Sequence, residues 1–451
     1  VEVLRMFQDT AKVFEDNQHH LGATITDEVR FDIVKALGKI GENYRHTLYT
    51  QGFSSKKASL SIADLKAFIE LTMKHLKDSI KKNKREDGLY HSYNLIRFEK
   101  GRCSVSHLYE MLEGQVSVMS SKALDAQESL AVLEALRNSS VYRKDQDSYM
   151  LYPNRALPRF LEKNIIPEAQ VMSSFVLKEE LKHNRTRFIE KDVYGKYHFN
   201  GRFRNGYDIE RALKETKEYK DEDISQVKEM FSELFNHHAF TGRSGTFYKY
   251  EGLGSIYWHM VSKLVLATQE TFEDVYSKKG MNEEAIALMN GYRVAKKGLG
   301  VEKTPELYGA FPTDAYSHTP LFSGVQQPGL TGQVKEDFIS RFGELGVIVK
   351  KGIVHFDPVL LEKSEFLAEK QAWILPRNHH ESQTIWLNSQ QLGFTFCTVP
   401  VIYTLSDQKK IVVTAKDGTV NEFKGALDLE TSHSLFIRDG KIERIEVFLE
   451  A

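Results

Sequence analysis

Asp314-Ala-Tyr-Ser-His-Thr-Pro320 leads through a Gly- and Gln-rich link to Leu330-Thr-Gly-Gln333, and the helical pattern Val334–Phe342 follows at once. Unpaired backbone amides at a helix N-terminus, together with the helix dipole, favour an anion such as phosphate. The same residues also suit an ordinary helix cap, with Thr331 bonding the first turn. A second polar cluster, Lys84-Arg-Glu-Asp-Gly-Leu-Tyr-His-Ser-Tyr-Asn94, sets Asp87-Gly88 among Tyr90, His91, Tyr93 and Asn94. Such a polar-aromatic rim suits a sugar ring. The plainer alternatives are a turn at Asp87-Gly88 and, for Lys81–Arg85, a solvated helix end interacting with the dipole.

Other segments carry weaker signals. Gly245-Thr-Phe-Tyr-Lys-Tyr-Glu-Gly252 precedes a helical pattern and offers Glu251 as a second acid or a helix cap. Trp258 and His259 sit with Met260, Val261 and Leu264; core packing and sugar stacking by Trp258 both fit. Tyr142–Tyr149 and Phe199–Tyr207 are dense in planar polar and aromatic groups that can line oligosaccharide subsites. The pairs His19-His20, His237-His238 and His379-His380 lack carboxylate or Cys partners at ligand spacing, so no metal is expected. Gly252-Leu-Gly254 follows no strand and lacks a third Gly, which argues against a dinucleotide site. There is no P-loop, Gly-x-Ser-x-Gly or His-Glu-x-x-His motif.

The elements that must position these groups are mainly helical up to about residue 345. Leu65, Phe68, Ile69, Met73, Leu76 and Ile80 recur at helical spacing. Similar patterns run near 1–20, 29–49, 105–119, 124–138, 207–219, 223–236, 254–275, 281–297 and 331–343. The intervening stretches 86–104, 139–170, 184–206 and 237–253 are long and aromatic, as functional loops tend to be. Many helices with site-building loops favour an (α/α)6 toroid for 1–345. After Gly346 the pattern turns β-rich at Val347-Ile-Val, Ile353–Phe356, Leu392–Val399, Lys410–Ala415 and Leu435–Leu449. Lys416-Asp-Gly418 and Arg438-Asp-Gly440 fall where hairpin turns belong, so 346–451 is expected to form a small β-sandwich.

At 451 residues the chain can bury a large domain and a smaller one. A net charge of −1 gives no footing for nucleic acid or an acidic membrane surface. Cys103 and Cys397 alone do not make a disulfide framework, which points to a reducing, cytoplasmic setting. No apolar run approaches the roughly 20 residues that cross a bilayer. The sequence opens at Val1 inside a helical pattern, without Met, as the C-terminal part of a longer polypeptide would.

The Asp-x-Tyr-Ser-His-x-Pro segment, with Thr331-Gly332 beyond it, resembles the active-site segment of inverting glycoside phosphorylases of the cellobiose phosphorylase type. It is closest to the phosphorylase-like module of cyclic β-1,2-glucan synthases. Phe342-Gly-Glu-Leu-Gly-Val-Ile-Val and Gly352-Ile-Val-His-Phe-Asp-Pro358 resemble the join between barrel and C-terminal β-domain in the same enzymes. Inverting phosphorolysis needs one carboxylic acid to protonate the leaving oxygen, while phosphate takes the other role. The resemblance implies Asp87 as that acid, although Arg85-Glu86 stands where the family has Trp-Asn, which leaves Glu86 as a competitor. It implies phosphate bound by Thr331, the Gly332 amide and His318. Lys249, with Arg243 beside it, matches the place of a phosphate-binding His and can act as a compact cation.

The implied reaction joins a β-linked glucooligosaccharide, favoured as β-1,2, to inorganic phosphate as co-substrate, giving α-glucose 1-phosphate without a further cofactor. In that family an N-terminal β-sandwich precedes the barrel and helps to form a dimer, so a homodimer is implied. Two other readings stand beside it. One is an inverting hydrolase with Glu251 or Asp147 as base. The other is a non-catalytic carbohydrate-binding protein, which the missing Trp-Asn keeps open.

Overall fold

The computed structural model describes residues 1–154, 158–236, 254–312, 316–321, 323–328, 332–375 and 382–450. The helical patterns become helices at Glu2–Asp16, Asp27–Gln51, Ile62–Lys82, Leu112–Ser120, Ala126–Arg137, Gly206–Thr216, Asp221–Phe235, Trp258–Lys279, Glu283–Lys297 and Gly332–Glu344. Their starts follow capping chemistry. Thr26, Ser61, Asn205 and Asn282 each accept the amide three residues on, and Asp125 with Glu128 forms a reciprocal capping box.

Packing separates two compact units. One comprises Val1–Tyr149, Trp258–Ser317 and Gly324–Ala451; the other comprises Met150–Tyr257 with His318–Ser323. In the first, the Trp258–Lys279 helix packs on Leu112–Ser120, Glu283–Lys297 and Gly332–Glu344. It buries Trp258, Val261, Leu264, Val265 and Phe272, each worth about 1.5–3 kcal/mol when fully removed from water. The Ile62–Lys82 helix has the expected apolar stripe, but Leu65, Ile69, Met73 and Leu76 on it are exposed. Phe68 instead packs on Phe7, with ring centroids 4.5 Å apart.

Between the Asp87 loop and the next helix the chain departs from expectation. Asn94–Glu99 and Arg102–His107 form an antiparallel hairpin, and the helix begins only at Leu112, not near Val105. The two-residue turn Lys100-Gly101 explains this, because Gly101 takes a φ of 76° at no steric cost.

The C-terminal β region contains a five-stranded sheet in the order Gln391–Phe396, Val399–Ser406, Ile442–Glu450, Lys410–Ala415, Val420–Phe423. Its Val399–Ser406 and Ile442–Glu450 strands run parallel; the other neighbours are antiparallel. Val401, Tyr403, Ile411, Val413, Ile445 and Val447 share one core with Val354 and Phe356 of a separate hairpin. The 435–449 stretch is not all strand. Leu429–Ile437 is a helix capped by Asp428, and Arg438, at a φ of 54°, ends it. Arg438-Asp-Gly440 is therefore a helix-to-strand link, not a hairpin turn, whereas Lys416-Asp-Gly418 does join two paired strands.

The second unit has its own core of Val171, Val176, Leu177, Phe188, Phe199, Ile209, Leu213, Val227 and Phe231. A hairpin, Ile189–Lys191 with Tyr197–Phe199, packs among its helices. Glu180 is buried there and accepts from Arg187 at 2.7 Å and from the Tyr219 hydroxyl at 2.7 Å. Burial and the Glu180 partner raise Tyr219 to about 12.

Candidate functional site

The loop after the Ile62–Lys82 helix folds back on itself. Arg85 N–H donates to the Leu89 carbonyl and Gly88 N–H to that of Arg85, while Lys84 bridges to Tyr90. Gly88 has a φ of 83°, where a side chain would strain the turn. The loop presents Asp87 to solvent, its side chain 45% exposed. Arg85 grips that carboxylate through Nε at 3.1 Å to both oxygens and through a terminal nitrogen at 2.8 Å. The Leu89 amide adds a bond of 3.1 Å. The Arg85 guanidinium therefore holds the Asp87 carboxyl below the usual range, against the opposing effect of burial.

Arg85 also reaches a second carboxylate, Glu110, at 3.4 Å, and the Ser140 hydroxyl donates to Glu110 in turn. Asp87, Arg85, Glu110 and Ser140 thus form one continuous chain of charged and polar groups. Sequence reading missed Glu110, since nothing in the linear pattern ties it to a loop more than twenty residues earlier. It treated Arg85 as part of a solvated helix end and as a departure from a motif, not as a partner of Asp87. Glu86 is exposed.

The expected sugar rim divides. Tyr90 is 3% exposed, and its backbone N–H and carbonyl are both clamped by the buried Gln115 amide at 2.8 Å. It is a core residue with no face for a ligand. His91 is half-buried and stacks on His107 at 3.8 Å; burial, then the neighbouring imidazole, lowers it. Tyr93 is half-buried, and Asn94 Oδ1 accepts from His107 Nδ1 at 2.8 Å. Asn94 and His107 line a cavity of about 490 Å³ with His20, Arg30, His75 and Lys82. Of the rim, His91, Tyr93 and Asn94 keep accessible surface.

Trp258 is fully buried, edge-on to Tyr308 at 5.4 Å, with Lys303 Nζ 6.0 Å from its ring. It is a core residue, and sugar stacking is ruled out by lack of access. Asp147 accepts from the Tyr142 hydroxyl at 2.7 Å and pairs with Arg137 at 3.1 Å. Burial raises its carboxyl, but Tyr142 and Arg137 together prevail and hold it low. In the Phe199–Tyr207 stretch, Phe199 and Phe203 are core residues of the second unit, not subsite walls.

His318 lies in the Tyr316–Thr319 strand, opposite Tyr257, and stacks on its ring at 4.9 Å. Gly332 opens the Gly332–Glu344 helix as the sequence pattern requires. Thr331, Lys249, Glu251, Arg243 and Asp314 lie outside the described residues, as do His237-His238 and His379-His380. Among the described residues no group of three or more His, Cys, Asp or Glu could hold a metal, and no helix is long and apolar enough to cross a membrane.

No curated protein matches the chain. Residues 157–238 match the family model described as GH149 phosphorylase insertion domain 2. The matched stretch falls within the second unit and contains its core from Ile166 to Phe231. This likeness is to an insertion domain of GH149 phosphorylases, over that stretch.

Proposed function

We propose that the protein is an inverting glycoside phosphorylase that cleaves β-linked glucooligosaccharides with inorganic phosphate and releases α-glucose 1-phosphate. The observation that carries this reading is the match of residues 157–238 to a phosphorylase insertion domain. The Asp-x-Tyr-Ser-His-x-Pro segment and the helix opening at Gly332 agree with it. The helices of residues 1–345 are read as an (α/α)6 toroid, followed in sequence by a small β-sandwich.

Asp87 is the proposed acid. To donate it must first take up a proton, which Arg85 opposes in the free protein. Entry of the glycosidic oxygen would shift Arg85 fully onto Glu110, already within its reach. Phosphate then attacks the anomeric carbon from the opposite face as the bond to the leaving oxygen breaks and the Asp87 proton passes to that oxygen. His318, the Gly332 amide, Thr331 and Lys249 are the proposed phosphate ligands. His91, Tyr93 and Asn94 are the proposed sugar contacts that remain.

The linkage is favoured as β-1,2 on the motif resemblance, and a panel of β-1,2-, β-1,3- and β-1,4-glucooligosaccharides decides it. Each is incubated with phosphate, and glucose 1-phosphate is assayed for the wild type and Asp87→Asn. Product from one linkage, lost in Asp87→Asn, supports the reading. Product undiminished in Asp87→Asn removes Asp87 from the role.

A further inference from the structure

The chain holds His91 and Asn94 in different ways, and one residue touches both. His91 sits on a fixed segment. Before it, the Tyr90 backbone is bonded on both sides by the Gln115 amide at 2.8 Å. After it, Ser92 packs so closely on Gly114 that a Cβ there would overlap the Ser92 hydroxyl. The His91 amide donates to the Asn83 carbonyl at 2.9 Å. Asn94, by contrast, opens the Asn94–Glu99 strand, every residue of which is exposed. That strand pairs with Arg102–His107, which Arg30 anchors by donating to the Cys103 carbonyl at 2.8 Å.

His107 is directly opposite Asn94 in this pairing. Its Nδ1 donates to Asn94 Oδ1 at 2.8 Å. Its ring also lies on the His91 ring, with centroids 3.8 Å apart and planes 12° from parallel. The bond places the His107 proton on Nδ1. It also occupies Asn94 Oδ1, which leaves the Nδ2–H donors for a ligand. Without that bond the amide is free to turn, and its donor and acceptor exchange places. The proposed acid is within electrostatic reach of this pair. Burial and then the His107 ring lower His91, Arg85 adds to that effect, and Asp87 opposes it.

Asn94 and His107 also line a cavity of about 490 Å³. Its charged walls are already paired, Arg30 with Asp27 at 2.6 Å and Lys82 with Asp78 at 2.5 Å. The space therefore suits a neutral ligand rich in oxygen acceptors, which a glucan is.

We propose that His107 is a positioning residue for the sugar: it locks the Asn94 amide so that Nδ2 donates to a glucan oxygen, and it backs the His91 ring. This rests on His91 and Asn94 being sugar contacts, as the proposed function has them. His107 acts through these two side chains and takes no part in proton transfer.

Calorimetric titration of the whole protein with β-1,2-, β-1,3- and β-1,4-glucotriose, without phosphate, reads binding apart from phosphorolysis. The variants are Asn94→Ala, His107→Phe and the two combined. His107→Phe keeps a ring against His91 but has no donor for Asn94. The wild type is expected to bind at least one trisaccharide. Each single variant weakens that binding about fivefold or more, the size of one ordinary hydrogen bond. The double variant is no weaker than the weaker single one, because both changes break the same contact. His107→Gln, which restores a donor, binds more tightly than His107→Phe. All variants melt with the wild type, since Asn94 and His107 are both exposed. No binding by the wild type, unchanged affinity in His107→Phe, losses that multiply in the double variant, or His107→Gln no better than His107→Phe overturns the proposal. Glucose 1-phosphate is assayed separately with phosphate added. Its absence, in a protein that binds as predicted, would defeat the phosphorylase reading and leave the role of His107 intact.

Discussion

Asp87 and Arg85 set the pH behaviour of the loop between them. The folded Asp87 carboxyl lies below its ordinary value of about 3.9. Its contribution to stability is therefore fully present above that value and lost as pH falls through the lower folded value. Melting curves of the wild type and Asp87→Asn should differ above about pH 4 and converge in stronger acid; a gap that widens in acid would contradict the Arg85 contact. In the catalytic reading, Asp87→Asn lowers phosphorolysis by about 10²–10⁴-fold. Arg85→Gln moves the pH profile of activity upward, because the acid keeps its proton to higher pH. Trp258→Ala, by contrast, belongs to packing and should cost about 3–5 kcal/mol, read from denaturant midpoints. The turn at Asp87-Gly88 was legible in the sequence because a Gly follows the Asp, and Gly88 takes a φ of 83°. Tyr90 and Trp258 were legible only as aromatic residues, since burial depends on partners, here Gln115 and Tyr308, far along the chain.

Among the elements, helices were the most readable, because apolar spacing and capping residues agree along Asp27–Gln51, Ala126–Arg137 and Glu283–Lys297. The Asn94–His107 hairpin was not read, since its residues are exposed along one whole strand and show no alternation to follow. The Leu429–Ile437 helix was hidden for a different reason. Its buried side chains include Ser432, whose hydroxyl accepts from the Val354 amide at 3.1 Å, so its pattern is not simply apolar. Where helix meets sheet, Gly346 has a φ of 62°, and a Cβ there would lie 2.1 Å from the Asp357 carbonyl carbon. Gly346→Ala should lower stability by about 1–3 kcal/mol, measured by chemical unfolding. Equal stability would mean that this turn relaxes freely.

At the scale of the whole chain, the compact unit Met150–Tyr257 with His318–Ser323 holds its own ionic anchor. Replacing Glu180 by Ala removes the buried acceptor of Arg187 and Tyr219, while Arg187 keeps Glu218 at 2.8 Å, and should cost about 1–3 kcal/mol. Hydrogen exchange localises the loss to 171–231 if the core of this unit depends on that pair. The sequence announced the change from helical to β-rich texture near Gly346, but not this unit, whose helices share their periodicity with those around them. Only their common core, from Ile166 to Phe231, sets them apart. That stretch is also the one that resembles a phosphorylase insertion domain, and the proposed function rests on that likeness. The most direct test titrates inorganic phosphate against a fixed β-glucooligosaccharide and measures glucose 1-phosphate and free glucose together. Glucose 1-phosphate that rises with phosphate and is absent without it is the predicted result. Free glucose released at the same rate with or without phosphate would contradict the account.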